Sequence, residues 1–162
     1  WVSILQASYI VWKLPPYFAN INKRLVKTPK LYFYDTGLLC YLLGIENVQQ
    51  LKTHPLRGSI FENMVLNEVL KNRFNQGKDN NLCFYRENKG SEVDLVSPQS
   101  NKLSIMEIKS AKTFTKDFMR GIKHLEDILG EDIVRSCVVY DGDLESPTLM
   151  RGIYNFRNIS DF

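Results

Sequence analysis

Three stretches of the chain place acids where the surrounding pattern calls for apolar residues. Asp94 stands between Val93 and Leu95, Glu107 between Met106 and Ile108 with Lys109 two positions on, and Glu62 among Ile60, Phe61, Val65 and Leu66. Thirteen positions separate Asp94 from Glu107, enough for a strand end, a turn and an adjacent antiparallel strand, so the two side chains can meet on one face. Carboxylates on neighbouring strands make an all-oxygen site suited to Mg²⁺ or Mn²⁺. A lysine beside them can orient or deprotonate water, or neutralise developing charge. A metal-bound water of lowered pKa and a cation on phosphate oxygens equip such a site for phosphodiester hydrolysis. Each residue also has a purely structural reading: Glu62 as an ion-pair partner, Asp94 as a turn residue, Glu107 and Lys109 as a same-face salt bridge.

The elements that must position these residues follow from periodicity. A strand alternates its side chains, which puts Val93 and Leu95 on one face and Glu92, Asp94 and Val96 on the other. By the same rule Met106 and Ile108 oppose Ile105, Glu107 and Lys109. Glu62 belongs to a helix that Ser59 caps and that runs to about Phe74, its carboxylate projecting into the arc of Phe61, Val65, Leu66 and Val69. Strands are expected over Leu82–Arg86, Glu92–Val96 and Leu103–Lys109, a β-meander. Phe114, Phe118, Ile122, Leu125 and Leu129 mark a helix that Gly130 ends; a strand over Val134–Tyr140 and an edge strand over Ile153–Phe156 follow. The order is αβββαβ, an α/β fold with a mixed sheet, over residues 58–162.

Upstream, a helix end runs into an extended stretch stopped by Pro15 and Pro16, and a second strand covers Lys30–Asp35. Asp35 or Thr36 caps a short helix ended by Gly44. Residues 1–45 thus form a helix and a β-ribbon resembling a winged helix, and 46–57 read as a linker. Residues 1–34 carry Lys13, Lys23, Arg24, Lys27 and Lys30 and no acid, a charge of +5 within a chain of +3 overall. Tyr9, Trp12, Tyr17, Phe18, Tyr32, Phe33 and Tyr34 are interleaved with these bases. The combination suits phosphate contact and base stacking on nucleic acid, with Lys23, Arg24 and Lys27 at the ribbon tip. Strand aromatics are equally core residues, and scattered bases a solvated face.

The 162 residues, 44% hydrophobic and 24% charged, have the composition of an ordinary globular domain. The longest apolar run, 38–45, is far below the ~18 residues of a membrane span. Cys40, Cys83 and Cys137 are odd in number and far apart, which excludes a disulfide framework and fits a reducing cytoplasm. Trp1 opens the chain without signal-peptide features, so the start reads as a cut through a longer protein. P-loop, GlyxGlyxxGly and GlyxSerxGly patterns are absent, so ATP hydrolysis must lie elsewhere. His54 and His124 read as isolated loop and surface residues.

Asp94, then Glu107 and Lys109 with one residue between, preceded by a helical Glu62, resembles the PD-(D/E)xK nuclease superfamily and its αβββαβ core. The run from Arg86 to Val96 followed by Ile105 to Ser110 is similar to archaeal Holliday-junction resolvases. Residues 30–39, 55–63, 84–96 and 107–110 together resemble the domain-of-unknown-function family 4143, which usually follows an AAA-type ATPase module. The resemblance implies Asp94 and Glu107 as metal ligands with the Ile108 carbonyl as a third, Lys109 as the catalytic lysine, and Glu62 as an acid orienting water or a second metal. It implies Arg86 and Lys89 as contacts to a DNA phosphate. One departure is that a valine rather than a proline precedes the first acid.

Overall fold

Alternating apolar residues and a long helix with a broad apolar arc sort this chain into a sheet covered on both faces. The computed structural model describes residues 1–18, 27–88, 90–148 and 151–159. Helix α1 (Val2–Ala7) leads into a two-stranded antiparallel ribbon, β1 (Val11–Leu14) and β2 (Lys30–Phe33), in which Trp12 faces Tyr32 and Leu14 faces Lys30. Helix α2 (Thr36–Leu42) starts where Asp35 accepts the Leu38 N–H at 2.9 Å, and Gly44 follows it with φ +71°, as expected for a helix stop. The stretch expected as a linker carries a further short helix, α3 (Val48–Thr53), whose first turn is capped by Asn47 accepting from Gln50 N.

Helix α4 (Arg57–Asn75) begins two residues before the expected Ser59 cap, with no side-chain cap of its own. After it come β3 (Cys83–Arg86), β4 (Glu92–Gln99), β5 (Lys102–Lys109), α5 (Arg120–Leu129), β6 (Ile133–Tyr140) and β7 (Arg151–Asn155). The five strands lie in the order β3-β4-β5-β6-β7, antiparallel through the meander and parallel from β5 to β7, so the sheet is mixed as expected. The helix expected from Phe114 begins at Arg120; a 3-10 turn, Lys116–Met119, precedes it.

One core lies between α4 and the sheet, where Val65, Leu66, Val69 and Leu70 meet Leu95, Met106, Ile108 and Val139. Trp12, Leu14 and Tyr32 of the ribbon pack into this same core, so these aromatics are not open for base stacking. The other core joins Ile122 and Leu125 of α5 to Val93, Val96, Ile105 and Val138. Two buried asparagines of α4 fasten the ribbon. Asn63 exchanges hydrogen bonds with the Phe33 backbone (2.8 and 3.0 Å); Asn67 donates to the Phe33 and Tyr34 carbonyls (2.8 and 3.0 Å) and accepts from the Trp12 indole (3.0 Å). Each satisfies polar groups whose burial would otherwise cost about 1–3 kcal/mol. Among the described residues no helix is long and apolar enough to cross a membrane.

Candidate active site

Strand β4 is bulged where the site forms. Its pairing with β3 matches Cys83 with Val96 and Tyr85 with Val93, two positions on one strand against three on the other. The extra residue corrects the expected alternation: Val93 and Val96 both enter the α5 core, and Leu95 enters the α4 core. Bulges re-aim side chains, and this one contains Asp94. The Asp94 carboxylate is buried and its Oδ2 accepts the backbone N–H of Ile108 at 2.9 Å, so it lies against β5 between Glu107 and Lys109. Strand β5 keeps the expected alternation, with Met106 and Ile108 in the α4 core and Ile105 in the α5 core. Glu107 and Lys109 are directly bonded through Oε1 and Nζ.

The remaining oxygen, Glu107 Oε2, is buried and has no hydrogen-bond partner among the described residues. Glu107 borders a cleft of about 320 Å³ that Glu92, Lys109, Asp117, Arg120 and Gly121 also line. Gly121 lets α5 come this close: a Cβ there would stand 2.1 Å from the Glu92 carbonyl oxygen and 3.6 Å from Glu107 Oε2.

On the other side of Asp94 stands Lys30, a residue that sequence reasoning assigned to the basic, solvated face of the ribbon. Its ammonium lies 2.9 Å from Glu62, 2.6 Å from Glu92 and 3.6 Å from Asp94, and 5.3 Å from the Phe84 ring centre. The Tyr32 hydroxyl donates to the same Glu62 oxygen. Strand alternation could have found Lys30, since it shares a ribbon face with Tyr32, and Tyr32 is a core residue. Glu92, not expected as a site residue, is held from outside by Arg86 at 3.4 Å.

Burial shapes the titration of all four central groups. It pushes the Asp94 carboxyl above the ordinary carboxylate range, Glu62 adds to this, and Lys30, Lys109 and the Ile108 N–H oppose it. Burial and then the Asp94 charge push Glu107 further up, against the pull of Lys109. Burial alone would lower both lysines, but the surrounding carboxylates outweigh it: Glu62 and Asp94 hold Lys30 above its ordinary value, Asp94 and Glu107 hold Lys109 there. Both ammoniums stay charged at neutral pH.

The donors fit a hard divalent cation in kind: they are all carboxylate oxygens, one buried oxygen is unspent, and a positive group has already been drawn in among three of the acids. In the described arrangement that positive group is Lys30. No group of three or more His, Cys, Asp or Glu side chains among the described residues is set to hold a metal ion. Ile108, expected to offer its carbonyl, uses its N–H to hold Asp94. Of the expected DNA contacts, Arg86 and Lys27 are exposed, while Lys23, Arg24 and Lys89 lie outside the described residues. His124, expected to be isolated, has Nε2 2.8 Å from Glu87, which also accepts from the Tyr85 hydroxyl at 2.6 Å.

An uncharacterized protein of Mycobacterium bovis, Mb2031c, and one of Mycobacterium tuberculosis, Rv2008c, are each 31% identical to the chain over 147 residues, covering 91% of it and 32% of their own length. The chain therefore spans about a third of the length of the curated relatives it matches. No solved structure matches it. Residues 1–49 match the model of a domain of unknown function, DUF8612. Residues 57–157, well over half of the sequence and inclusive of Glu62, Asp94, Glu107 and Lys109, match that of another, and on that match the chain belongs to the DUF4143 domain family.

Proposed function

We propose that this chain is the nuclease-like part of a longer, cytoplasmic protein with an AAA-type ATPase module, and that it cleaves phosphodiester bonds in DNA with Mg²⁺ or Mn²⁺. The observation that carries the reading is the convergence of Asp94, Glu107 and Lys109 at the bulged end of β4 and β5, with one buried Glu107 oxygen unspent. Helix α4, the meander β3–β5, α5 and β6 follow in the order of a PD-(D/E)xK core. The ribbon with α1 is the counterpart of a winged helix, its basic tip the surface for DNA together with Arg86.

Asp94 and Glu107 would hold the cation, which when bound supplies a water of lowered pKa and a clamp on phosphate oxygens. Lys109 stays protonated in this setting, so its role is to neutralise charge developing on the phosphate rather than to take a proton from water. The Ile108 N–H fixes the Asp94 carboxylate, and Gly121 keeps α5 against the cleft. Glu62 lies behind Lys30 and bears on the site through it.

Incubating the intact protein with branched or single-stranded DNA and Mn²⁺ is expected to give cleavage that Lys109→Ala and Asp94→Asn both remove while the protein stays folded. A second reading rests on the charge balance at Lys30: a module that keeps the fold and recognises nucleic acid or the ATPase without cutting. DNA binding with no cleavage, unaltered by those two substitutions, would establish that reading instead.

A further inference from the structure

Four carboxyl groups, Glu62, Glu92, Asp94 and Glu107, meet around the bulge of β4, and two ammoniums answer them. The two lysines differ in origin. Lys109 belongs to the same strand as its partner Glu107. Lys30 arrives from the ribbon, some 60 positions before Glu92 and Asp94, and contacts three acids that come from α4 and β4.

We propose that Glu62, Glu92 and Asp94 form a cation site whose resident cation is the Lys30 ammonium, and that Lys30 and a divalent metal ion exclude each other there. This rests on the nuclease reading for the identity of the metal and adds to it a residue, Lys30, and a ligand, Glu92, that the resemblance does not assign. Two independent observations point to a cation as the ligand. The ammonium itself lies 2.6–3.6 Å from three carboxylates. Glu107, 93% buried, keeps an oxygen without a partner beside the cleft that Glu92 also lines. The contacts by which Lys30 neutralises Glu62 and Asp94 use the oxygens a metal would need, and two positive charges at that separation repel.

The exchange requires little movement. The ribbon is held by Asn63 and Asn67 through the backbone at Phe33 and Tyr34, away from the lysine head. A lysine stem has four rotatable bonds and a strongly hydrated terminus, so the ammonium can swing to solvent while β2 stays in place. Loading the site with metal therefore releases Lys30 and places a second ammonium at the edge of the cleft, where a DNA phosphate would lie.

Titration of the intact protein with Mn²⁺, followed by the loss of the free-ion electron paramagnetic resonance signal, tests this directly. Lys30→Met is expected to bind Mn²⁺ about tenfold or more tightly than the wild type, because the competing cation is gone, and Lys30→Arg to bind no better than the wild type. Equal affinity in Lys30→Met and the wild type overturns the proposal, as does a folded Lys30→Met that binds no Mn²⁺. Should Lys30→Met fail to fold, the wild type decides: amine-reactive labelling of Lys30, read by mass spectrometry, should rise severalfold in millimolar Mn²⁺, and unchanged labelling overturns the exclusion. The nuclease reading fails separately: tight Mn²⁺ binding by Lys30→Met without DNA cleavage removes that reading and leaves the cation site standing. Cleavage by a wild type that binds Mn²⁺ as well as Lys30→Met does removes the exclusion and leaves the nuclease.

Discussion

The two sides of Asp94 differ in how completely their charges are matched. Toward the ribbon, Glu62 accepts from both Lys30 and Tyr32, and Glu92 is gripped by Lys30 from within and Arg86 from without. Toward α5, Glu107 has Lys109 on one oxygen and nothing on the other, beside a cleft open to solvent. Burial of an unpaired polar atom costs about 1–3 kcal/mol, so the second side is kept at a cost that the first avoids. The difference teaches that this acid cluster is not uniformly structural: an ion-pair network finished on one side and unfinished on the other has the form of a site with an entrance.

The strongest way to break that contrast is to close the entrance. Alanine normally stabilises a helix by roughly 1 kcal/mol over glycine. At Gly121 the sign should reverse, since the new methyl would overlap the Glu92 carbonyl and force α5 outward. Gly121→Ala is expected to destabilise by about 2–3 kcal/mol in urea unfolding. A neutral or stabilising result would mean that α5 does not approach β4 as described, and the cleft beside Glu107 would lose its wall.

Breaking the finished side comes next. Asn67→Leu fits the volume of the core but strips partners from the Trp12 indole and two backbone carbonyls, all buried. A loss of about 2 kcal/mol is expected. The ribbon should loosen with it, seen as faster amide exchange at Phe33 and Tyr34; unchanged exchange would show that the ribbon is held by its apolar contacts alone.

Both sides bear on what could be read in advance. The meander, the two long helices and the pairing of Glu107 with Lys109 followed from periodicity, because strand alternation and helical arcs are local rules. The bulge at Asp94 was not legible, since an extra residue in one strand appears only against its partner, and it reversed the face assigned to Leu95. Lys30 was misplaced because a base in a basic segment suggests solvent, whereas its strand neighbour Tyr32 carried it inward. Asn63 and Asn67 were passed over for the same reason: polar residues in a helix suggest an outer face unless a buried backbone needs them.

A third measurement sharpens the comparison through pH. Glu107 binds its proton more tightly folded than unfolded, because burial and Asp94 raise its pKa. Between the ordinary carboxylate range and that raised value the folded state holds more protons, so stability falls as pH rises across the window. Glu107→Gln cannot ionise yet can still accept from Lys109, so it should lack this decline. The variant should be more stable than the wild type by on the order of 1 kcal/mol above the window in metal-free buffer, with the difference vanishing toward acid pH. A constant difference at all pH values would show that Glu107 is ionised without penalty, and the unfinished side would not exist.

The smallest expected effect separates structure from recognition at Arg86. Its side chain is about half exposed and stands 3.4 Å from Glu92, an exposed pair of the kind worth a few tenths of a kcal/mol. Lys30 already holds Glu92 at 2.6 Å, so Glu92 keeps a partner when Arg86 is removed. Arg86→Ala should therefore shift stability by less than about 0.5 kcal/mol. If its guanidinium also meets a DNA phosphate, the same substitution should weaken DNA binding and reduce the steepness of its salt dependence by about one phosphate contact. The two readouts make the test sharp: a stability loss with unchanged DNA affinity assigns Arg86 to the network around Glu92, and lost affinity with unchanged stability assigns it to the rim of the cleft.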